Sequence, residues 1–109
     1  MPVIREVRED DYDRWIPLWD GYNAFYGRSG ETALPREVTK TTWLRFFDPS
    51  EPVHALVAEE GEELLGLTHY LFHRSTTLIP PITYLQDLFT VPEARGQGVA
   101  TALDRKSVV

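Results

Sequence analysis

The stretch that most constrains this chain runs from Tyr84 to Ala102, Y-L-Q-D-L-F-T-V-P-E-A-R-G-Q-G-V-A-T-A. An apolar and aromatic run of strand character ends in a Val91-Pro92-Glu93 breaker. Arg95-Gly96-Gln97-Gly98-Val99-Ala100 follows at once, with small residues that can open a helix. A strand, a tight glycine turn and a helix start aim several unpaired backbone N–H groups at one small volume, and such a volume attracts phosphate. Gly96 and Gly98 permit positive φ or close approach of a ligand. Arg95 adds a positive charge, Val99 can anchor the new helix, and Ala100 and Ala102 keep its first turn thin. A pyrophosphate suits this loop better than a nucleoside triphosphate, because the Walker Gly-Lys-Ser/Thr ending is absent. The dinucleotide fingerprint lacks its third glycine. On these residues alone, an ordinary structural turn remains the alternative.

Arg95-Gly96-Gln97-Gly98-Val99-Ala100 resembles the Arg/Gln-x-x-Gly-x-Gly/Ala signature of the acyl-coenzyme A loop in the GNAT superfamily of N-acetyltransferases. Leu85-Gln86-Asp87-Leu88-Phe89-Thr90-Val91 is similar to that family's fourth strand, and the two adjoin in the right order. The similarity extends from Val3 to about Leu103, its later part being the specific one. The resemblance implies an α/β (α+β) fold, a mixed and mainly antiparallel sheet flanked by helices. It also implies acetyl-CoA as cosubstrate and a small-molecule primary amine as acceptor. The aromatic-rich first region and the Tyr84 to Val91 strand are most similar to members that acetylate small amines, polyamine-like acceptors included.

With 109 residues the chain is expected to form one domain. Its formal charge of -6 disfavours general binding to nucleic acid or an anionic membrane and favours attraction of a cationic amine. It has no cysteine, which excludes disulfides, a thiol nucleophile and cysteine-ligated metal. Met1-Pro2-Val3-Ile4-Arg5 lacks an apolar secretion core and no run is long enough to span a bilayer, so the cytoplasm is the expected compartment.

Val3 to Val7 reads as a short first strand. Asp10 or Asp11 can cap a helix carrying Tyr12, Trp15, Ile16, Leu18, Trp19, Tyr22 and Phe25 at helical spacing, with Pro17 expected to kink or restart it. Gly27 to Glu31 reads as a loop. A second helix begins near Pro35-Arg36-Glu37, with Val38, Trp43, Leu44, Phe46 and Phe47 apolar and Thr39 or Thr41 able to cap, and Asp48-Pro49 stops it. Val53 to Glu59 and Leu64 to His73 form a hairpin around Gly61. In its second strand Leu65, Leu67, His69, Leu71 and His73 are expected on one face, with Gly66, Thr68, Tyr70 and Phe72 on the other. Thr83 to Val91 supplies the strand before the glycine loop.

Acetyl transfer from coenzyme A needs a neutral amine, a polarised thioester carbonyl and a proton for the leaving thiolate. With no Cys and no organised Ser-His-acid signature, direct attack suits the inventory. The resemblance implies that the backbone around Leu88, Phe89 and Thr90 pairs with the pantetheine arm, with an N–H near Leu88 polarising the thioester. The pyrophosphate would meet the N–H groups from Arg95 to Ala100. Related acetyltransferases often carry an acid at the position of Gln86, and an amide can orient an amine or a water but cannot be a base. Asp87, a carboxylate in an apolar strand, is the candidate base or amine-orienting group, with a hydrogen-bonded structural role as the alternative. Tyr22 or Tyr26 is placed in the acceptor wall, with core packing as the alternative. Glu31, like Glu37, can draw an ammonium group or simply be solvated.

His69 and His73 stand about 13 Å apart along a regular strand, so no metal site is expected, and either could serve a water-linked proton path. After Ala102-Leu103 only Asp104 to Val109 remain, whereas the resembling fold continues with further strands and a helix. The chain is therefore expected to be an N-terminal portion, truncated after the start of the helix that follows the fourth strand, with little or no turnover alone. The alternatives are a catalytically inactive acyl-CoA-binding or dimerisation module, for which a homodimer is the partner, and a non-binding fragment.

Overall fold

The computed structural model describes residues 2–107; Met1 and Val108-Val109, on which the reading of the two chain ends drew, lie outside the described residues. The elements run β1 (Val3–Glu6), α1 (Tyr12–Phe25), α2 (Arg36–Arg45), β2 (Val53–Glu60), β3 (Glu63–His73), β4 (Ile82–Thr90) and α3 (Val99–Ser107). The strands form one antiparallel sheet in the order β1-β2-β3-β4, so the fold class is the α/β arrangement expected. Among the described residues, no helix is long and apolar enough to cross a membrane.

α1 and α2 cover one face of the sheet. Trp15, Leu18, Trp19 and Tyr22 recur at helical spacing and bury against Trp43 of α2 and against Val57, Leu64 and Leu67 of the sheet. Trp15 stacks on Trp19 at 5.6 Å and meets Trp43 at 4.8 Å between ring centres. α3 covers the opposite face, inserting Val99 and Leu103 against Leu56, Ala58 and Tyr70. Burial of a side chain such as Leu103 stabilises by about 1.5–3 kcal/mol, which ties the helix after the glycine loop to the sheet.

Several local expectations are corrected. Pro17 does not restart α1, which runs unbroken through it; the ring removes one backbone donor, but Trp15, Leu18 and Trp19 anchor the helix on either side. Asp11 does not cap α1 with its side chain. Instead it turns back to accept from the Arg8 N–H and from Arg5 and Arg14. In α2 Val38 and Leu44 are exposed. Neither Thr39 nor Thr41 caps the helix, which opens after Pro35, and buried Thr39 accepts from Trp19 Nε1 at 3.2 Å.

Leu65 leaves the face of Leu67 and His69 and packs toward α3. The cause is a bulge: Ala58 pairs with Gly66 and Glu59 with Leu64, so Leu65 is the extra residue and alternation reverses across it.

Candidate functional site

β4 is the edge strand of the described sheet, and it delivers the chain to Pro92–Ala94 and then to the glycine loop. Gly96 and Gly98 have φ of +82° and +80°, a conformation costly for residues with a Cβ. α3 opens directly after them. Its first backbone bond runs from Ala102 N–H to Gly98 O, which leaves the N–H groups of its opening turn aimed outward. Arg95 closes the side of the loop: its Nε donates to Thr90 O at 3.2 Å, and its guanidinium carbon lies 5.8 Å from the Phe89 ring centre.

These parts surround a cavity of about 510 Å3. It is lined by Leu88, Phe89 and Thr90 of β4, by Arg95, Gly96 and Gly98 of the loop, by Val99 and Ala100 of α3, and by Tyr22, Phe25 and Tyr26 of α1. Of the loop residues singled out in sequence, Gln97 alone stays outside it, its side-chain amide donating to Glu93 O at 3.3 Å. The Thr90 hydroxyl is buried in this wall without a hydrogen-bond partner. α1 approaches β4 closely enough that a Cβ on Gly21 would sit 2.9 Å from the Phe89 ring.

A second cavity, of about 540 Å3, opens between the ends of α1 and α2 and the sheet. It holds Asp87, Gln86 and His69 from the strands together with Arg28, Arg45 and Glu51. Neighbours in sequence reach this groove together because β4 is bulged there: His69 pairs with Asp87 and Tyr70 with Leu85, which leaves Gln86 as the extra residue. Gln86 is exposed and Asp87 is buried.

The Asp87 carboxylate is fixed by buried donors. Trp15 Nε1–H donates to His69 Nε2 at 3.1 Å; since the indole is only a donor, the imidazole proton lies on Nδ1, which donates to Asp87 Oδ2 at 2.9 Å. Burial pushes the His69 pKa down against the raising effect of Asp87, in keeping with a neutral ring. Burial, and then a hydrogen bond to Asp87, push the Tyr22 hydroxyl pKa up, so this phenol stays protonated. Tyr22 thus lines the first cavity with its hydroxyl within the electrostatic reach of the carboxylate of the second. Glu31 lines neither cavity and is exposed within the short 3-10 turn Gly30–Thr32. His73 is exposed at the end of β3, and among the described residues no group of three or more His, Cys, Asp or Glu is placed to hold a metal ion.

Sequence reading did not find Trp15 as the partner of His69, or Arg28 as a groove residue. A His on the strand face opposite the tryptophan stripe was the available signal for the first; nothing in sequence marked the second.

A four-stranded antiparallel sheet between helices, with a glycine loop leading from its edge strand into α3, is the architecture of the N-acetyltransferase class. Residues 8–107 match the acetyltransferase (GNAT) family, and the chain belongs to it. It is 31% identical over 103 residues to the D-amino-acid N-acetyltransferase HPA3 of Saccharomyces cerevisiae, a match spanning 93% of this chain and 62% of the yeast protein. It is 30% identical over 100 residues to the uncharacterized N-acetyltransferase YhfO of Bacillus subtilis, covering 92% of this chain and 64% of that one. The chain thus spans less than two thirds of the length of these curated relatives. Among solved structures it is similar in fold to AAC(6')-Iy in complex with the bisubstrate analogue CoA-S-monomethyl-acetylneamine. There the TM-score is 0.78 at 14% identity, over 98% of this chain and 69% of that one.

Proposed function

We propose that this chain carries the acetyl-CoA cleft and the acceptor groove of an N-acetyltransferase acting on a small primary amine by direct attack. The observation that supports it most is the meeting of the β4 edge, two left-handed glycines and the first turn of α3 around one cavity. In this reading the pyrophosphate accepts hydrogen bonds from the N–H groups between Arg95 and Ala100. The pantetheine arm adds to the open edge of β4 beside Leu88, Phe89 and Thr90. The names of the relatives, a D-amino-acid acetyltransferase and an enzyme held with a CoA-linked amine analogue, support a low-mass amine as acceptor.

The amine nitrogen attacks the thioester carbonyl carbon, forming the C–N bond; the C–S bond then breaks and the sulfur leaves as thiolate. The N–H of Leu88 donates a hydrogen bond to the carbonyl oxygen and stabilises the negative charge that develops there. Asp87, held by His69, orients the amine and takes its proton, while Gln86 at the bulge orients the amine or a water. The thiolate takes a proton from water, and the proton that Asp87 then gives up neutralises the hydroxide left behind and resets the carboxylate.

Calorimetric titration of the 109-residue chain with acetyl-CoA tests the reading, with Gly98→Trp as the blocked control after both folds are checked by circular dichroism. Saturable heat in the parent but not in the folded variant is the expected result. A folded parent that gives no heat refutes it.

A further inference from the structure

The charged groups of the acceptor groove are not equivalent. Arg45 Nε pairs with Glu51 Oε1 at 3.3 Å, so these two largely neutralise each other. Asp87 is engaged by His69, with its carboxylate still on the groove wall. Arg28 is different. Its Nε donates to Asn23 Oδ1 at 2.7 Å, its backbone N–H donates to Asn23 O at 2.8 Å, and its guanidinium carbon lies 5.8 Å from the Tyr26 ring centre. Asn23 is buried and its Nδ2 donates to Trp19 O at 2.9 Å, so α1 holds the guanidinium from behind. Among the described residues, neither terminal nitrogen of Arg28 has an acceptor.

A guanidinium oriented through Nε and open at its two terminal nitrogens presents the edge that matches the two oxygens of a carboxylate. Asp87 in the same groove is the group that faces an amine. We propose that Arg28 anchors a carboxylate of the acceptor, so that the acetylated amine belongs to a molecule carrying both groups, as an amino acid does. The inference rests on reading this groove as the acceptor site. It argues against a polyamine-like acceptor, whose second ammonium would meet the Arg28 guanidinium.

The test is calorimetry of the 109-residue chain saturated with CoA, comparing amines that differ only in the carboxylate: alanine and β-alanine against ethylamine, and γ-aminobutyrate against propylamine. A charge-assisted bidentate contact predicts a ten- to hundredfold tighter Kd for at least one carboxylated member. Arg28→Gln, with its fold and CoA binding intact, is expected to abolish the preference. Arg28→Lys, which keeps the charge but loses the fork, is expected to retain only a small part of it and serves as the second variant if the first fails to fold. Absence of a preference in the parent, or a preference that survives both substitutions, overturns the proposal. If the chain binds CoA but none of the amines, this inference falls and the acetyl-CoA reading stands; if it binds neither, both fall.

Discussion

Asp11 is the most consequential charge in the fold outside the two cavities. It is fully buried, accepts from Arg5 at 2.8 and 3.0 Å, from Arg14 at 2.6 Å and from the Arg8 N–H at 2.7 Å, and so ties β1 to the start of α1. Burial alone would raise its pKa, but the bonds from Arg5, Arg8 and Arg14 outweigh that and lower it from 3.8 to about 2. A depressed carboxylate pKa stabilises the folded state fully above the unfolded value, and this contribution is lost as pH falls through the folded one. At 1.36 kcal/mol per pH unit the contribution is about 2.5 kcal/mol at pH 7, and roughly half of it is gone by pH 3. Asp11→Asn, nearly isosteric and without the proton linkage, is therefore expected to cost about 2.5 kcal/mol at pH 7 and about half that at pH 3.

Urea unfolding followed by tryptophan fluorescence measures both values, since Trp15, Trp19 and Trp43 are buried. Glu59 shares Arg5 and Arg14 and is also held at about 2. Because it belongs to the same network it is coupled to Asp11, so the comparison is repeated in a Glu59→Gln background, where the pH-dependent difference is expected to persist. An equal destabilisation at the two pH values would refute the reasoning, because it would mean that Asp11 contributes packing and not a proton-linked charge.

Two further outcomes follow from the close contacts around the site. In Gly66→Ala the new Cβ would lie 2.9 Å from the Phe89 carbonyl oxygen and 3.1 Å from both Leu103 and Val99, so the β3–β4 pairing or α3 must shift. An overpacking cost of about 1–3 kcal/mol is expected in urea unfolding, and an unchanged midpoint would contradict it. For His69, whose folded pKa lies below the ordinary 6.5, the unfolded chain binds the proton more readily. Stability is therefore expected to fall as pH drops below about 6.5, and His69→Gln should flatten that limb of the pH profile; a limb of equal slope in the variant would contradict it.

The two halves of the candidate site differ in how far the sequence discloses them, and the difference has a physical origin. The loop between β4 and α3 is built from backbone: positive φ at Gly96 and Gly98 demands residues without a Cβ, so the requirement is written at those positions and can be read there. The tryptophan stripe of α1 is legible for a similar reason, because helical spacing alone puts Trp15, Leu18, Trp19 and Tyr22 on one face. A strand bulge leaves no such mark. Whether Leu65 or Gln86 is the extra residue depends on how two strands align, so alternation sends Leu65 to the wrong face and hides the joint exposure of Gln86 and Asp87 to one groove. The mostly polar α2 misleads in part: beside the buried Trp43, its other buried contact is the Thr39 hydroxyl accepting from an indole, while Val38 and Leu44 face outward. A groove assembled from Asn23, Arg28, His69 and Asp87 depends on residues far apart in sequence, each ordinary where it stands. A cofactor held by backbone N–H groups therefore leaves its signature in one short run, whereas an acceptor held by side chains does so only once the chain is folded.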